Sequence, residues 1–499
     1  MADKSTVNVY STDGKRIKQE GQENKADSTH PKYDEWMEIS ALGRTLFQGE
    51  RAMKEAGEEY LPKFELEGDS RYNTRLARSS LKNAYRKTIN FLSGQVFQGK
   101  IEFSDEFPEE ISGTMDDVDL LNSTLEQFSR RVFEAGLASG VGHILVEAPS
   151  ETAETREEEK QKGIRPYFKE LRGENVIGWQ TSEEGVLTQI RFVEPYIQPD
   201  GKFGETFEPQ IRAIYPGGWE IYRKATSGAK EYGLVDEGTT SLDYIPLVSY
   251  LPGEPLSLLT GESPLQDLAD MGLDHWQQYS DLKNLLHTAS VPILFGKGID
   301  LSKFIIGASK AITTDAEEGD LRFVEITGAS IQAAQAYIKE IEEAMALYGL
   351  QQLINRTSGN ITATERAISK AESNSSLATW VNGFQDALVL ALEIWGDYQG
   401  IEIPPDSITM PIEFETATAE AAMVQAYLKA VDSRVLSRKA AFEYINSTGS
   451  LGDAYTWDVI EEEIESDKTD AGPNDLAGLF GGGFGQPNAN QGAEGDVDQ

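Results

Sequence analysis

The sequence predicts an α+β fold that is mainly helical, and three observations carry that expectation. Long segments with apolar residues at spacings of three and four occupy much of the chain between residues 33 and 138 and again after residue 263. Between about residues 165 and 260 the pattern changes to short apolar runs, "VLTQIRFVEPYI", "QIRAIYP", "WEIYRK" and "YIPLVSYL", separated by Gly, Pro and Asp clusters, which reads as antiparallel β-structure. Polar segments without periodicity bound the chain at both ends, residues 1–32 as an N-terminal arm and 467–499 as an acidic, Gly-rich tail, both expected to be disordered.

From Tyr33 to about Val96 the pattern is helical. Ala77, Leu81, Ala84, Thr88, Phe91 and Val96 trace an inner stripe, and Arg71, Arg75, Arg78, Lys82 and Arg86 trace a basic one. The chain has 45 Lys and Arg against 83 Asp and Glu, a net charge of −38. In so acidic a chain the basic stripe is either a solvated face or a contact with a neighbouring copy, which makes these five residues the subunit-interface candidates. A helix follows from about Ser123 to Ala138, and "HILVEAP" reads as a buried strand leading into the β-rich region.

Residues 264–289, "PLQDLADMGLDHWQQYSDLKNLLHTA", form a third helical pattern that opens at Pro264, whose φ is pre-set for a first turn. Leu265, Ala269, Gly272, Trp276, Tyr279, Lys283 and Leu286 draw its apolar stripe, and Asp267, Asp270, Asp274 and Asp281 an acidic face opposite. His275 and His287 are two of four histidines, but twelve residues separate them by roughly 120° and roughly 18 Å on a helix, so they cannot share one metal. A mixed segment from Val291 to about Thr327 intervenes before the helical pattern returns over Ile331–Gln352. The order is helix, small insert, helix. "NRTSGNITATE" then supplies turn formers, readable as a surface linker, before helices resume through "LATWVNGFQDALVLALEIWGDY" and from about Ala419 to Glu465.

Length suggests about three domains. The negative balance argues against an ordinary nucleic-acid binder, whose affinity rests on cations displacing counterions from phosphate, but leaves open a protein past which DNA must slide without sticking. Cysteine is absent, which removes disulfides, thiolate nucleophiles and Cys-ligated zinc. No apolar signal core opens the chain and no run approaches 18 consecutive apolar residues, so a soluble, non-secreted protein without a membrane partner is expected.

Motifs for chemistry are weak. In "GQVFQGKI", Gly94, Gly99 and Lys100 match G-x-x-x-x-G-K, but Ile101 stands where a Ser or Thr hydroxyl would hold Mg²⁺, and the motif closes a helix instead of opening one. The two glycines read better as helix terminators. Gly140 and Gly142 in "SGVGHILVE" lack the third glycine of a dinucleotide fingerprint and read as a tight turn. His143 and Glu147 on the following strand stand roughly 13 Å apart, too far for a proton relay. No G-x-S-x-G, H-E-x-x-H or EF-hand spacing occurs, so no catalytic residue, metal or cofactor is expected.

The ordered series "EEYLPKFELEGDSRYNTRLARSSLKNAYRKTINFLSGQVFQGKIEF", "GLASGVGHILVEAPS", "RPYFKELRGENVIGWQ", "GESPLQDLADMGLDHWQQYSDLKNLLHTASVPILF" and "VEITGASIQAAQAYIKEIEEAMALYGLQQL" resembles tailed-phage portal proteins, in a branch often filed as a domain of unknown function. The resemblance runs from about Tyr60 to Asp397. It implies a ring, usually of twelve copies, at one capsid vertex, through which a motor drives DNA during packaging and from which DNA later leaves. On this pattern residues 33–262 are a wing, 263–290 the first stem helix, 291–328 a clip, 329–352 the second stem helix and 353–366 a tunnel loop. Residues 367–409 are then a wing or crown helix and 410–466 crown helices. Asn355, Arg356, Thr357, Ser358, Gly359 and Asn360 fall where portals carry the loop that reaches towards DNA. The implied partners are further copies of the chain, the large terminase subunit, a head-completion or tail adaptor, the major capsid protein and non-specifically held double-stranded DNA. The implied location is the virion, with host cytoplasm during assembly. The arm and the Gly-rich tail have no family counterpart. The competing readings are another capsid assembly component, such as a scaffold or minor head protein without a DNA channel, and a hydrolase using carboxylates in a pocket that raises their pKa.

Overall fold

The N-terminal helical run breaks where the chain supplies its own caps. The first helix, α1 (Pro31–Gln48), opens with Pro31 in its first turn and with His30 Nδ1 accepting from the Lys32 amide at 3.1 Å. It ends at Gly49, whose φ of 102° turns the chain into α2 (Glu50–Ala56). Next come α3 (Asp69–Arg78) and α4 (Ala84–Val96), the latter capped by Asn83, whose Oδ1 accepts from the Arg86 amide at 2.9 Å. The break between them resets the helical phase and moves the predicted inner stripe. α4 buries Tyr85, Thr88, Ile89, Leu92, Ser93 and Val96, while Leu81, Ala84 and Phe91 are half-buried and Ala77 is exposed. The expectation that Gly94 and Gly99 terminate this helix through left-handed backbone is also corrected. Neither has a positive φ, and Phe97 closes the helix by donating its amide to Ser93 O at 2.9 Å.

The computed structural model describes residues 25–149, 164–225, 229–290, 293–297, 319–324, 328–349, 363–411, 427, 429, 431, 433, 435–447 and 456–457. Two units are distinguished, Met1–Phe414 and Glu415–Gln499. The first continues through β1 (Glu102–Phe103), α5 (Glu109–Ser112) and α6 (Leu125–Ser139), which starts with a capping box between Thr124 and Gln127. Gly140 then turns the chain with a φ of 85° into β2 (Gly142–Glu147).

The β-rich region is antiparallel throughout, as predicted. It comprises β3 (Tyr167–Arg172), β4 (Gly178–Thr181), β5 (Leu187–Asp200), β6 (Gly204–Tyr215), β7 (Gly218–Lys224), β8 (Tyr232–Thr239) and β9 (Leu247–Tyr250). One sheet has the order β3-β2-β9 and the other β4-β5-β6-β7-β8. Because successive side chains of a strand point to opposite faces, β2 serves two cores at once. Ile144 and Val146 pack among the helices with Phe133, Trp276, Phe384 and Trp395; Val141 and Leu145 pack towards the larger sheet with Trp36, Trp179, Phe192 and Ile211.

After the sheets come α7 (Gln266–Ala289), a hairpin of β10 (Ile293–Lys297) and β11 (Asp320–Val324), and α8 (Gly328–Tyr348), which is the predicted helix–insert–helix order. A 37-residue helix, α9 (Ala363–Gln399), returns to the helical core through Leu377, Val381, Phe384, Leu388, Leu392 and Trp395. β12 (Ile408–Thr409) then pairs with β1. In the second unit α10 (Arg438–Ser447) buries Ala441 and Phe442, and the Phe442 ring lies 5.6 Å from that of Trp457.

Two predicted boundaries shift. The last residues of the supposed N-terminal arm are ordered, because His30 stacks on Trp179 at 4.0 Å and donates its amide to Ile177 O at 2.9 Å. Residues 363–366, placed in the loop, already belong to α9. Residues 1–24, 350–362 and 467–499 lie outside the described residues, and with them the predicted loop residues Asn355 to Asn360 and the Gly-rich tail.

The turn at Gly140 yields the sharpest stability expectation. A Cβ there would stand 2.1 Å from Gly261 O, in a backbone conformation that L-residues disfavour. Gly140→Ala should therefore destabilise the chain by at least ~2 kcal/mol in chemical denaturation, whereas the same change at Gly185, whose φ is also 85° but whose Cβ would meet open space, should cost only the ~1 kcal/mol of backbone strain.

Candidate functional site

The α7–hairpin–α8 limb carries the four predicted acidic residues, Asp267, Asp270, Asp274 and Asp281, all on α7, while the five predicted basic residues lie on α3, on α4 and between them. At 1.5 Å per residue, the 24 residues of α7 span roughly 36 Å and the 21 of α8 roughly 32 Å. α8 runs antiparallel to α7 and is tied to it by two polar contacts. Tyr337 donates its hydroxyl to Asp274 Oδ2 at 3.0 Å, and His275 Nε2 meets Glu342 Oε1 at 3.1 Å. Lys82, after α3, reaches the same Glu342 oxygen at 2.6 Å. Burial pushes the Glu342 carboxyl up, but the hydrogen bonds from Lys82 and His275 outweigh it and hold the group below the usual carboxylate range.

The inner face of α7 is broader than the predicted stripe. Leu265, Ala269, Gly272 and Trp276 are buried as expected, joined by Leu268, His275, Ser280 and Leu282. Tyr279 and Lys283 are half-buried, and Leu286 is exposed, because the last turns of α7 leave the core. On the acidic face the four aspartates separate by role. Asp267 and Asp270 are exposed, Asp274 docks α8, and Asp281 is half-buried 3.6 Å from Arg75 Nη1. Burial raises the Asp281 carboxyl by more than the Arg75 charge lowers it.

The basic stripe separates in the same way. The structure takes Arg75 out of the interface set, since its side chain is only 2% exposed and its hydrogen bonds are made within the chain. It donates Nη2 to Glu67 Oε2 at 2.7 Å, Nε to Glu67 Oε1 at 3.0 Å and Nη2 to Pro62 O at 2.6 Å, and the guanidinium lies 4.2 Å from the Phe64 ring centroid. Lys82 is engaged with Glu342. Arg71, Arg78 and Arg86 remain exposed, Arg86 with its guanidinium 5.9 Å from the Phe47 ring centroid. Glu67, the residue that decides the fate of Arg75, lies before α3 and carries no periodic signal.

A second polar cluster joins the two sheets. Glu147 accepts from Tyr167 Oη at 2.8 Å and from Arg212, while Glu194 accepts from Lys169 and, at 2.7 Å, from Gln210 Nε2. The two carboxylates and two cations balance, and each carboxylate is already bonded to a cation, so the cluster reads as a neutral tie between sheets. A recess of about 220 Å³ touches Glu194 but not Glu147. His143, predicted too distant from Glu147 for a relay, instead faces Ser249 Oγ at 2.8 Å; burial lowers its pKa to about 4. Lys100 of the phosphate-loop lookalike is exposed, just before β1. Among the described residues no group of three His, Asp or Glu side chains is placed to hold a metal ion, and no helix is long and apolar enough to cross a membrane.

The model of a domain of unknown function, DUF4055, matches residues 264–399, which comprise α7, the hairpin, α8 and α9. No curated protein matches the chain. Among solved structures, the chain is similar to one from the neck of an empty GTA particle computed with C6 symmetry, at 15% identity and a TM-score of 0.39, covering 72% of this chain and 88% of that one. It is also similar to a chain from the virion of a native gene transfer agent (GTA) particle, at 14% identity, a TM-score of 0.39 and the same coverage.

Two outcomes follow from the buried charges. Arg75→Met should cost ~3–5 kcal/mol, because it strands the Glu67 carboxylate, 6% exposed, without its cation. Glu67→Gln/Arg75→Met should recover much of that loss and Arg71→Ala should stay within ~0.5 kcal/mol, all read by chemical denaturation. For His143, the folded pKa of about 4 lies below an unfolded value of ~6.5, so the folded state binds fewer protons between them. The stability it contributes is fully present above pH ~6.5 and disappears as pH falls towards ~4. Wild type should lose ~2 kcal/mol more than His143→Gln between neutral pH and pH ~5, as measured by parallel denaturation series.

Proposed function

We propose that this chain is a portal protein: copies form a ring at one capsid vertex that serves as a conduit for DNA entering and leaving. The observation that carries the reading is the limb. Two long antiparallel helices are joined at their far end by a β-hairpin and rooted at the other end in a mixed helical and sheet body, the arrangement that a stem, clip and wing require. The limb exposes Leu286, Phe295, Tyr337, Leu347 and Tyr348, large apolar surface for which adjacent copies supply cover. Of the five ordered sequence segments that resemble portals, two fall on the limb and three on the helices and strands of the body.

In this role the chain makes and breaks no bond and needs no metal or cofactor; the ATPase belongs to a terminase partner that docks at the hairpin end. A net charge of −38 suits a wall past which phosphates move, since repulsion prevents trapping and salt limits its range to about 10 Å. An elongated scaffold is disfavoured by the two sheets and the shared core through β2, which make a broad body.

Electron microscopy of the purified full-length chain should show end-on rings with a central hole, and native mass spectrometry a closed complex of roughly a dozen copies, a head-to-tail cyclic assembly. A chain that stays monomeric at all concentrations and salt conditions would overturn the reading.

A further inference from the structure

Between α3 and the last turns of α7 lies a groove of about 450 Å³. The helical repeat places Arg71 and Arg78 of α3 on one wall and Lys283 and His287 of α7 on the other, and Phe64 and Leu66, 44% and 94% exposed, form an apolar lip. The walls are locked together. Ser79 and Ser280 share a hydrogen bond of 2.7 Å beneath the groove, and Lys283 Nζ donates to Arg78 O at 2.9 Å and Ser80 Oγ at 2.8 Å. The one carboxylate in the lining, Glu67, is held by Arg75 in a two-pronged pair, which leaves the groove cationic.

A cationic recess with an apolar lip is out of character for a chain with 83 acids and 45 bases. We propose that it is the receiving half of the contact between neighbouring copies, taking an acidic and apolar segment of a second copy; this rests on the ring reading above. Charge complementarity favours that occupant, because a second copy offers predominantly negative surface, including the exposed Asp267 and Asp270 of α7. The groove cannot pair with itself across a two-fold axis, since Arg71, Arg78 and Lys283 would then face their own counterparts. It needs a different surface of the neighbour. That is a head-to-tail contact, the kind that closes into a ring.

The test compares wild type with Arg71→Glu/Arg78→Glu and with a matched control, Arg51→Glu/Arg172→Glu, which reverses two side chains that are 90% and 66% exposed elsewhere. Circular dichroism checks the fold, and native mass spectrometry with sedimentation reads assembly at equal concentration and salt. The groove variant should assemble about tenfold or more weakly than wild type, while the control assembles normally. If the reversal disturbs the fold, Arg71→Gln/Arg78→Gln is read in its place, with a loss of at least about threefold expected. Equal assembly of wild type and groove variant would overturn the groove and leave the ring standing; equal loss in the control would overturn it in favour of a general charge effect. Unchanged rings that bind a short DNA duplex less well would overturn it in favour of a phosphate contact. A wild-type chain that forms no ring would remove both readings.

Discussion

Much of the described first unit depends on how the C-terminal end of α6 satisfies its last carbonyl groups. Helix ends leave carbonyls without intrahelical partners, and burying them bare is costly. Here they are met by donors from three other elements. Trp36 of α1 donates its indole N–H to Ser139 O at 2.9 Å, Tyr85 of α4 its hydroxyl to Ala138 O at 2.9 Å, and Ser263, just before α7, its hydroxyl to Leu137 O at 2.6 Å. α1 comes close enough that a Cβ on its Gly43 would lie 2.7 Å from Ala138 O. One helix terminus therefore fixes where α1 and α4 cross and where α7 begins, and Gly140 turns the chain from that point into β2.

Consequences run in two directions from that junction. Through β2 it reaches the sheets, whose opposite faces belong to different cores. Through Ser263 it aims α7, whose first four turns are packed against the body, with Gly272 close to Leu46, before the helix leaves it. The buried polar groups obey the same economy of partners. Arg75 and Glu67 are stable because each completes the other; Asp281, beside them but with only a longer contact to Arg75, has its carboxyl pushed up. Trp276 and Trp395 bury their indole N–H groups without a hydrogen-bond partner among the described residues.

Periodicity made the α+β class, the antiparallel region, α6 with β2, and the helix–insert–helix order legible, because each rests on many residues repeating one pattern. It failed where one long-range contact decides. The break before α4 depends on Asn83, whose Nδ2 also donates to Leu46 O at 2.5 Å, thirty-seven residues away. The ordering of residues 25–30 depends on Trp179 and on Arg191, which donates to Lys25 O, Ala26 O and Ser28 Oγ, and the burial of Arg75 depends on Glu67. At the candidate site the sequence shows the charges but not their partners: Asp267, Asp270, Arg71, Arg78 and Arg86 keep exposed faces, while Asp274, Asp281, Arg75 and Lys82 are drawn into contacts that only the fold creates.

The division of α7 links these facts to the proposed role. Up to Leu282 its buried face is covered by the chain's own core; beyond it Leu286 and His287 are exposed, and the hairpin that follows shows Phe295 to solvent as well. A helix that continues past its own core is favourable only if something else covers the extension, since exposed apolar surface carries a free-energy cost of roughly 25 cal/mol per Å². The extension is also flanked by the groove of Arg71, Arg78 and Lys283, so the same few turns carry both exposed apolar surface and a cationic recess. In the proposed ring a neighbour placed head-to-tail would cover both at once, each copy serving the next, which would tie the outer limb's stability to assembly.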